Sequence, residues 1–408
     1  MAVTLLSLLL SCGLWSDAPT PPSDPAPSPK AVQPSTAPEP EGECGRPLTR
    51  SLMDDSLALG TSFLLNNQRP EGNFVYAFDW KTEEVQPEDN PVRQAGAMWS
   101  LALIHHDGGD PAVRTALERA LGFFTRNSRG ADGRRWVVYP GTKKGSLGTV
   151  ALVALAHIDL LRRADELDAT RRAELRARLD EYLAFLEHAR LPEGRFHRYY
   201  DHTTGEPSGP ATPYADGEAL LAFTKAARYL DEARWRSLAE AEADAGYHLN
   251  VAEPRSQERD PKITKGYYQW ASMAWFEMVD AGWTADVHAE RLMDLAVWMI
   301  DDHRTLSRTR NTGYAYEGIV PAWEVARRRS DPRADKLACT IHQGLRKLTS
   351  WQVGSVNAVA SVREAPDDPR SKGGVQNHAV ESLLRVDTTQ HQMHAVVLAR
   401  RFFVPEGS

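Results

Sequence analysis

Apolar residues recur along most of this chain three and four positions apart, and they almost never alternate as in a half-buried strand. The stretch 213–230 sets the pattern. Its apolar positions Ala219, Leu220, Ala222, Phe223, Ala226, Ala227 and Leu230 cover most of a helix surface, so that helix is expected to be largely buried. The same periodicity predicts helices over 51–66, 91–105, 111–127, 145–163, 170–190, 213–230, 232–248, 265–280, 285–302, 311–329, 334–351 and 385–403. Two kinds alternate. Helices such as 170–190 carry a charged face and suit an outer ring. Helices such as 147–161 and 213–230 are Ala-rich on most sides and suit an inner one. Pairing them gives six hairpins of about 50–70 residues, an internal repeat. Turns after outer helices echo one another, each setting a glycine near an aromatic: Gly72 and Phe74, Gly133 and Trp136, Gly194 and Phe196.

Six helical hairpins with these turns resemble the (α/α)6 toroids, a group that includes glycoside hydrolases and lyases, sugar and uronate epimerases, and the related terpene-cyclase barrels. The resemblance covers residues 46–408 and implies an all-α fold, a closed ring of six hairpins. Antiparallel hairpins point all inner helices the same way, so their N-termini, with free N–H groups and partial positive charge, share one face.

The segments entering the inner helices are polar and aromatic. They hold Arg93 and Gln94; Thr149; Tyr214, Asp216 and Glu218; Tyr267, Tyr268, Gln269 and Trp270; Tyr314, Tyr316 and Glu317; and Arg385, Asp387, His391 and Gln392. Glu218 and Glu317 come from different repeats and are expected to face a common cavity, as the paired carboxyls of glycoside hydrolysis do. Asp216 is either a third carboxyl there or a helix cap. Tyr268 or Tyr316 beside them would suit a lyase or epimerase, which moves a proton at carbon. His391 is a candidate general base oriented by Asp387. Tyr214 and Trp270, with Trp99, Tyr199 and Tyr200, are candidate stacking platforms for sugar rings. Gln94 and Gln269 are candidate substrate contacts. Arg93 and Arg385 would either grip a carboxylate, as on a uronate, or pair with Asp216 or Asp387. Asp387, His391 and His394 have D-x3-H-x2-H spacing on one helix face, but no other His/Cys cluster supports a metal, and none is expected.

Composition narrows the partners. With 42% hydrophobic and 25% charged residues the chain is ordinary for a globular protein, and a net charge of −7 gives no nucleic-acid footprint. No P-loop or dinucleotide fingerprint is present, so no cofactor is expected. The acidic run of squalene-hopene cyclases and the Cys/His pair of lanthionine cyclases are missing as well, which disfavours a terpene-type toroid. The leading reading is a glycan-active hydrolase, lyase or epimerase; a non-catalytic toroid binding a glycan or peptide is the alternative.

The N-terminus reads as a processing segment. Leu5 to Leu10 is a short apolar run, and Leu9-Leu10-Ser11-Cys12 resembles the bacterial lipobox, although no Lys or Arg precedes it. The resemblance implies cleavage and lipidation at Cys12, export, and attachment of residues 46–408 to the cell-envelope membrane. Residues 17–45, rich in Pro and Ala, are expected to form a disordered tether. Cys44 and Cys339 remain, and in an oxidising compartment they are either one bridge or two buried thiols.

Overall fold

The computed structural model describes residues 44–230 and 233–406. Cys12 and residues 17–43 of the expected tether lie outside them, while its last two residues, Cys44 and Gly45, are described. Helices dominate: α1 (Arg50–Asn66), α2 (Pro91–Gly108), α3 (Pro111–Arg126), α4 (Leu147–Leu161), α5 (Ala169–His188), α6 (Pro213–Tyr229), α7 (Ala233–Tyr247), the short α8 (Glu253–Gln257), α9 (Lys262–Asp280), α10 (Ala285–Asp301), α11 (Gly313–Arg328), α12 (Arg333–Thr349), the short α13 (Ala360–Arg363) and α14 (Val386–Leu398). The first two starts follow capping rules. Thr49 caps α1 through Leu52 N, and Asn90 caps α2 through Arg93 N with Pro91 at its first position.

Six helices form a closed inner ring, each packed on two inner neighbours: α2 on α4, α4 on α6, α6 on α9, α9 on α11, α11 on α14, and α14 back on α2. The composition of α4 shows why it is inside, since all its residues from Leu147 to Leu161 are buried. Outside, α3, α5, α7, α10 and α12 each cover the inner helix that precedes them. The sixth pair joins the two ends of the chain, because α1 packs chiefly on α14. A Cys44–Cys339 disulfide, 295 residues apart in sequence, ties the segment before α1 to α12.

Strands that the periodicity did not predict build three small antiparallel sheets. They are β1 (Ala77–Asp79), β2 (Glu84–Val85), β3 (Ser128–Ala131), β4 (Arg134–Val137), β5 (Lys144–Ser146), β6 (His197–Asp201), β7 (Pro207–Ala211) and β8 (Leu383–Arg385). Their orders are β2-β1-β8, β3-β4 and β5-β6-β7. Too short for a readable period of two, they serve as entry ramps: β5, β7 and β8 run directly into α4, α6 and α14.

Three repeats share one turn device. Gly72, Gly194 and Gly373 have φ of 111°, 84° and 83°, a conformation that suits glycine. Two residues later Phe74, Phe196 and Val375 form isolated bridges with Gln68, Arg190 and Gln352, the residues that follow outer helices. The backbone N–H of each is then held by the fourth residue of the next inner helix. The acceptors are Gln94 Oε1 at 2.7 Å, Asp216 Oδ1 at 2.9 Å and Thr389 Oγ1 at 3.1 Å.

Candidate active site

The first turns of α14 place Asp387, His391 and His394 on one helix face, facing α11 and α2 across the inner ring. From α11 comes Glu317, wholly buried. Its Oε1 lies 2.9 Å from His391 Nδ1 and 3.1 Å from His394 Nδ1. The two imidazoles differ in access: the His391 side chain is 24% exposed and that of His394 only 1%. His391 therefore presents Nε2, the nitrogen Glu317 does not engage, towards whatever enters. Burial pulls His391 down, yet the Glu317 carboxylate holds it above its ordinary value. Burial likewise pushes Glu317 up, and the two imidazoles, His391 foremost, hold it below the usual glutamate range. His394, deeper, is held below its ordinary value by burial.

Aromatic rings wall this cluster. The Trp270 ring of α9 lies 6.4 Å from His391 edge-on, and the Trp99 ring of α2 lies 4.5 Å from His394. Trp99 and Trp270 are themselves 6.0 Å apart. Behind Trp99, its indole N–H donates to Asp159 at 2.7 Å, and Asp159 takes Lys225 Nζ at 2.6 Å on both oxygens. That buried ion pair fixes Trp99 in one orientation. The Trp270 indole N–H and Glu317 Oε2 have no protein hydrogen-bond partner among the described residues. Buried, such a group costs about 1–3 kcal/mol until a ligand or water answers it.

A second cluster adjoins through Asp387. Arg385 grips it with Nε and Nη2 at 3.0 and 3.1 Å, and Arg93 Nε reaches it at 3.1 Å. Burial pushes Asp387 up, but Arg385 and then Arg93 hold it below its ordinary value. Tyr76, which the sequence did not single out, accepts a bond from Arg93. Both guanidinium side chains remain partly exposed, 29% and 27%. They thus pair with Asp387, one of the two carboxylates considered for them.

Several expected site residues turn out to have packing partners. Asp216 is clamped by Arg195, Asn250 and Phe196 N, with burial holding its carboxyl above the ordinary value despite Arg195. Gln94 grips Phe74 on both its N–H and C=O and is fully buried. These two are the turn clasps described above, which is why polar residues recur at that helix position. Tyr268 donates to Ala315 O at 2.9 Å between α9 and α11. Tyr316 points out against Gly344 of α12, because one residue of helix rotation separates it from Glu317. Tyr200 donates to Val137 O and is buried among packing residues. Tyr214 lies beside Gly266, and Gln269 is buried on α9.

Glu218 stands apart. It is 3% exposed, and its carboxyl lies against Gly148 of α4, where an added Cβ would fall 2.2 Å from Oε2. Among the described residues no hydrogen bond or ion pair offsets its burial, which pushes it up to about 8 and favours the neutral acid at pH 7. Glu317 is thus bonded to an imidazole, while Glu218, expected to share its cavity, lies against Gly148 with its carboxyl raised by burial. Glu317 with His391 and His394 is also the group that could hold a divalent ion, its ligand atoms lying within 4.8 Å of one another. Asp387, which the sequence spacing offered instead, is taken by the arginines. The 2.9 Å contact is equally that of a hydrogen-bonded His391, whereas neither ring nitrogen of His394 has a hydrogen-bond partner among the described residues.

No family model and no curated protein matches this chain. Solved structures do. D-mannose isomerase superposes with a TM-score of 0.62 at 12% identity, covering 86% of this chain and 97% of the other. Cellobiose 2-epimerase from Spirochaeta thermophila DSM 6192 gives 0.60 at 17% identity, covering 85% and 96%. An inactivated α-1,6-mannanase of Salegentibacter sp. HEL1_6 in complex with α-1,6-mannotetrose gives 0.60 at 8% identity, covering 86% and 99%. These likenesses establish the fold class: the chain is an (α/α)6 toroid along the length of the ring.

Proposed function

We propose that the protein is a carbohydrate-active enzyme that moves a proton at carbon, an aldose–ketose isomerase or 2-epimerase. The observation that carries this reading is the buried Glu317–His391 dyad beside Trp270. A carboxylate on Nδ1 fixes the tautomer and leaves Nε2 to act. In the open-chain sugar Nε2 takes the proton from the carbon beside the carbonyl, leaving an enediolate. Returning it to the neighbouring carbon, with the O2 hydroxyl proton passing to O1, isomerises the sugar; if the enediolate turns its other face to Nε2 before the proton returns to the same carbon, the sugar is epimerised. Trp270 offers an apolar face to the sugar ring, and the partly exposed Arg93 and Arg385 offer donors to its oxygens. The similar isomerase and epimerase support this chemistry. The mannanase supports it less, because its inactive form lacks two consecutive aspartates. The consecutive pairs here are Asp54–Asp55 on α1, Asp301–Asp302 at the end of α10 and Asp367–Asp368 in a loop, all away from the inner-helix starts.

The test is deuterium incorporation at C2, followed by NMR in D2O with mannose, fructose, glucose, cellobiose and short mannans. The expected result is exchange or conversion of at least one sugar, reduced about 10²-fold or more in His391→Asn and Glu317→Gln. Absence of exchange with every sugar, or full activity in His391→Asn, overturns the reading.

We further propose that the protein is exported and lipid-anchored through Cys12. The lipobox-like sequence supports this, as does the Cys44–Cys339 bridge, a feature of oxidising compartments. Detergent-phase partitioning that survives Cys12→Ser contradicts it.

A further inference from the structure

One turn before Glu317, at the start of α11, Tyr314 carries a second set of contacts that the reading above does not use. Its hydroxyl lies 2.9 Å from His303 Nε2, and His303 Nδ1 lies 2.7 Å from Asp260 Oδ1. Asp260 is held in turn by Arg308, whose Nη2 donates to Oδ2 at 2.7 Å while its Nε donates to the His303 carbonyl at 2.7 Å. Trp298 stacks on the His303 ring at 5.7 Å, so the imidazole cannot swing. Two groups reach His303 Nδ1, Asp260 Oδ1 at 2.7 Å and Arg308 Nη2 at 3.1 Å. With the proton on Nδ1 the closer carboxylate accepts it, and Nε2 is left to accept the Tyr314 O–H. This is the logic by which a carboxylate and an imidazole activate a hydroxyl, here with tyrosine in the hydroxyl's place.

The placement is that of the candidate site. Tyr314 and Glu317 are three residues apart on one helix and so are surface neighbours. Lys265, in the first turn of α9, lies 5.4 Å from the Tyr314 ring centre. Tyr214, in the first turn of α6, lies against Gly266 next to it. Tyr314 is partly exposed while His303 is buried behind it. The starts of α11 and α9 therefore meet at this phenol, and the start of α6 adjoins them through Tyr214.

We propose that Tyr314 is a second proton-transfer residue of this enzyme, directed at a sugar hydroxyl, with His303 and Asp260 as its positioning residues. This rests on the reading that the site moves protons on a sugar. The step is balanced. The substrate O–H bond breaks and its proton goes to the Tyr314 oxygen. The Tyr314 O–H bond breaks and that proton goes to His303 Nε2. The resulting imidazolium faces the Asp260 carboxylate; the alkoxide at O1 becomes the carbonyl as the C1–O5 bond breaks, and O5 takes the proton back through the same relay. Reversal returns every proton. His391 thus serves carbon and Tyr314 serves oxygen.

Two measurements test it. In the first, N-acetylimidazole acetylates the tyrosines of the whole protein and the rate at Tyr314 is followed by peptide mass spectrometry. The expected rate in wild type is about tenfold or more above that in His303→Asn. Equal rates, or no acetylation of Tyr314 in either, overturn the relay. In the second, Tyr314→Phe is assayed by the deuterium exchange described above, with circular dichroism to confirm folding. The expected result is kcat down about 10²-fold with KM within about twofold. Unchanged kcat, with His391→Asn inactive, overturns the proposal and leaves the isomerase reading standing. If wild type exchanges with no sugar, that reading falls and the acetylation rates still decide the relay.

Discussion

Glu218 and Glu317 are both buried glutamates at the starts of inner helices, yet their surroundings drive them opposite ways. Glu317 has two imidazoles and lies below its ordinary value; Glu218 has none and is pushed up to about 8. For Glu218 the folded value exceeds the unfolded one, so its contribution to stability is fully present below about pH 4.5 and is lost as pH rises through 8. Glu218→Gln, which never ionises, is expected to gain thermal stability relative to wild type as pH goes from 5 to 9. Parallel melting curves across that range contradict the burial of an unpaired carboxyl. For His391 the folded value is raised, and as a base it acts when neutral, so activity should climb with pH through that raised value. Glu317→Gln removes the carboxylate and leaves burial dominant. The acid limb of its pH–rate profile should therefore move to lower pH as kcat falls, and an unmoved limb argues against the dyad.

At the scale of elements, inner helices approach closely where one of them has a glycine. Gly217 of α6 meets Trp270 of α9, and a Cβ there would stand 2.6 Å from the Trp270 Cβ. That atom is anchored to backbone and cannot swing aside, so Gly217→Ala must part α6 from α9. A loss of about 1–3 kcal/mol is expected in denaturant unfolding, with a weaker response of Trp270 fluorescence to sugar. The recurring turn belongs to the same scale. Gly72-x-Phe74 and Gly194-x-Phe196 were visible as repeats, but the clasp that completes each, Gln94 or Asp216, reads in sequence as a polar site residue. Only the hydrogen bonds show that it binds backbone.

Over the whole molecule, the ring closes by joining its ends: α1 packs on α14, and the Cys44–Cys339 bridge spans 295 residues beside that seam. Chain-entropy reasoning sets its contribution at up to about 5 kcal/mol for so long a loop. Cys339→Ser should lower the melting temperature while leaving deuterium exchange in place at low temperature, because the dyad lies on α11 and α14 and not on the bridge. Loss of activity before melting would show that the seam holds the site in register.

The resemblance to the toroids carried the ring, and periodicity carried the helices and their inner or outer placement, because burial on all sides of α4 and α6 leaves an unbroken apolar signature. It also placed Glu317, His391, Trp270, Arg93 and Arg385 at inner-helix starts, since helix polarity is a local property. What periodicity does not carry is which starts touch. Glu317 meets His391 across 74 residues of sequence, and Asp260, His303 and Tyr314 meet from three separate segments. Tyr268 and Tyr316 turn into helix contacts by single steps of helical rotation, and Tyr76 joins the site from the residue just before β1, a strand too short to read. Those outcomes are set by ring closure, which fixes the distances between helices, and the energies that follow depend on partners and burial that only the closed ring supplies.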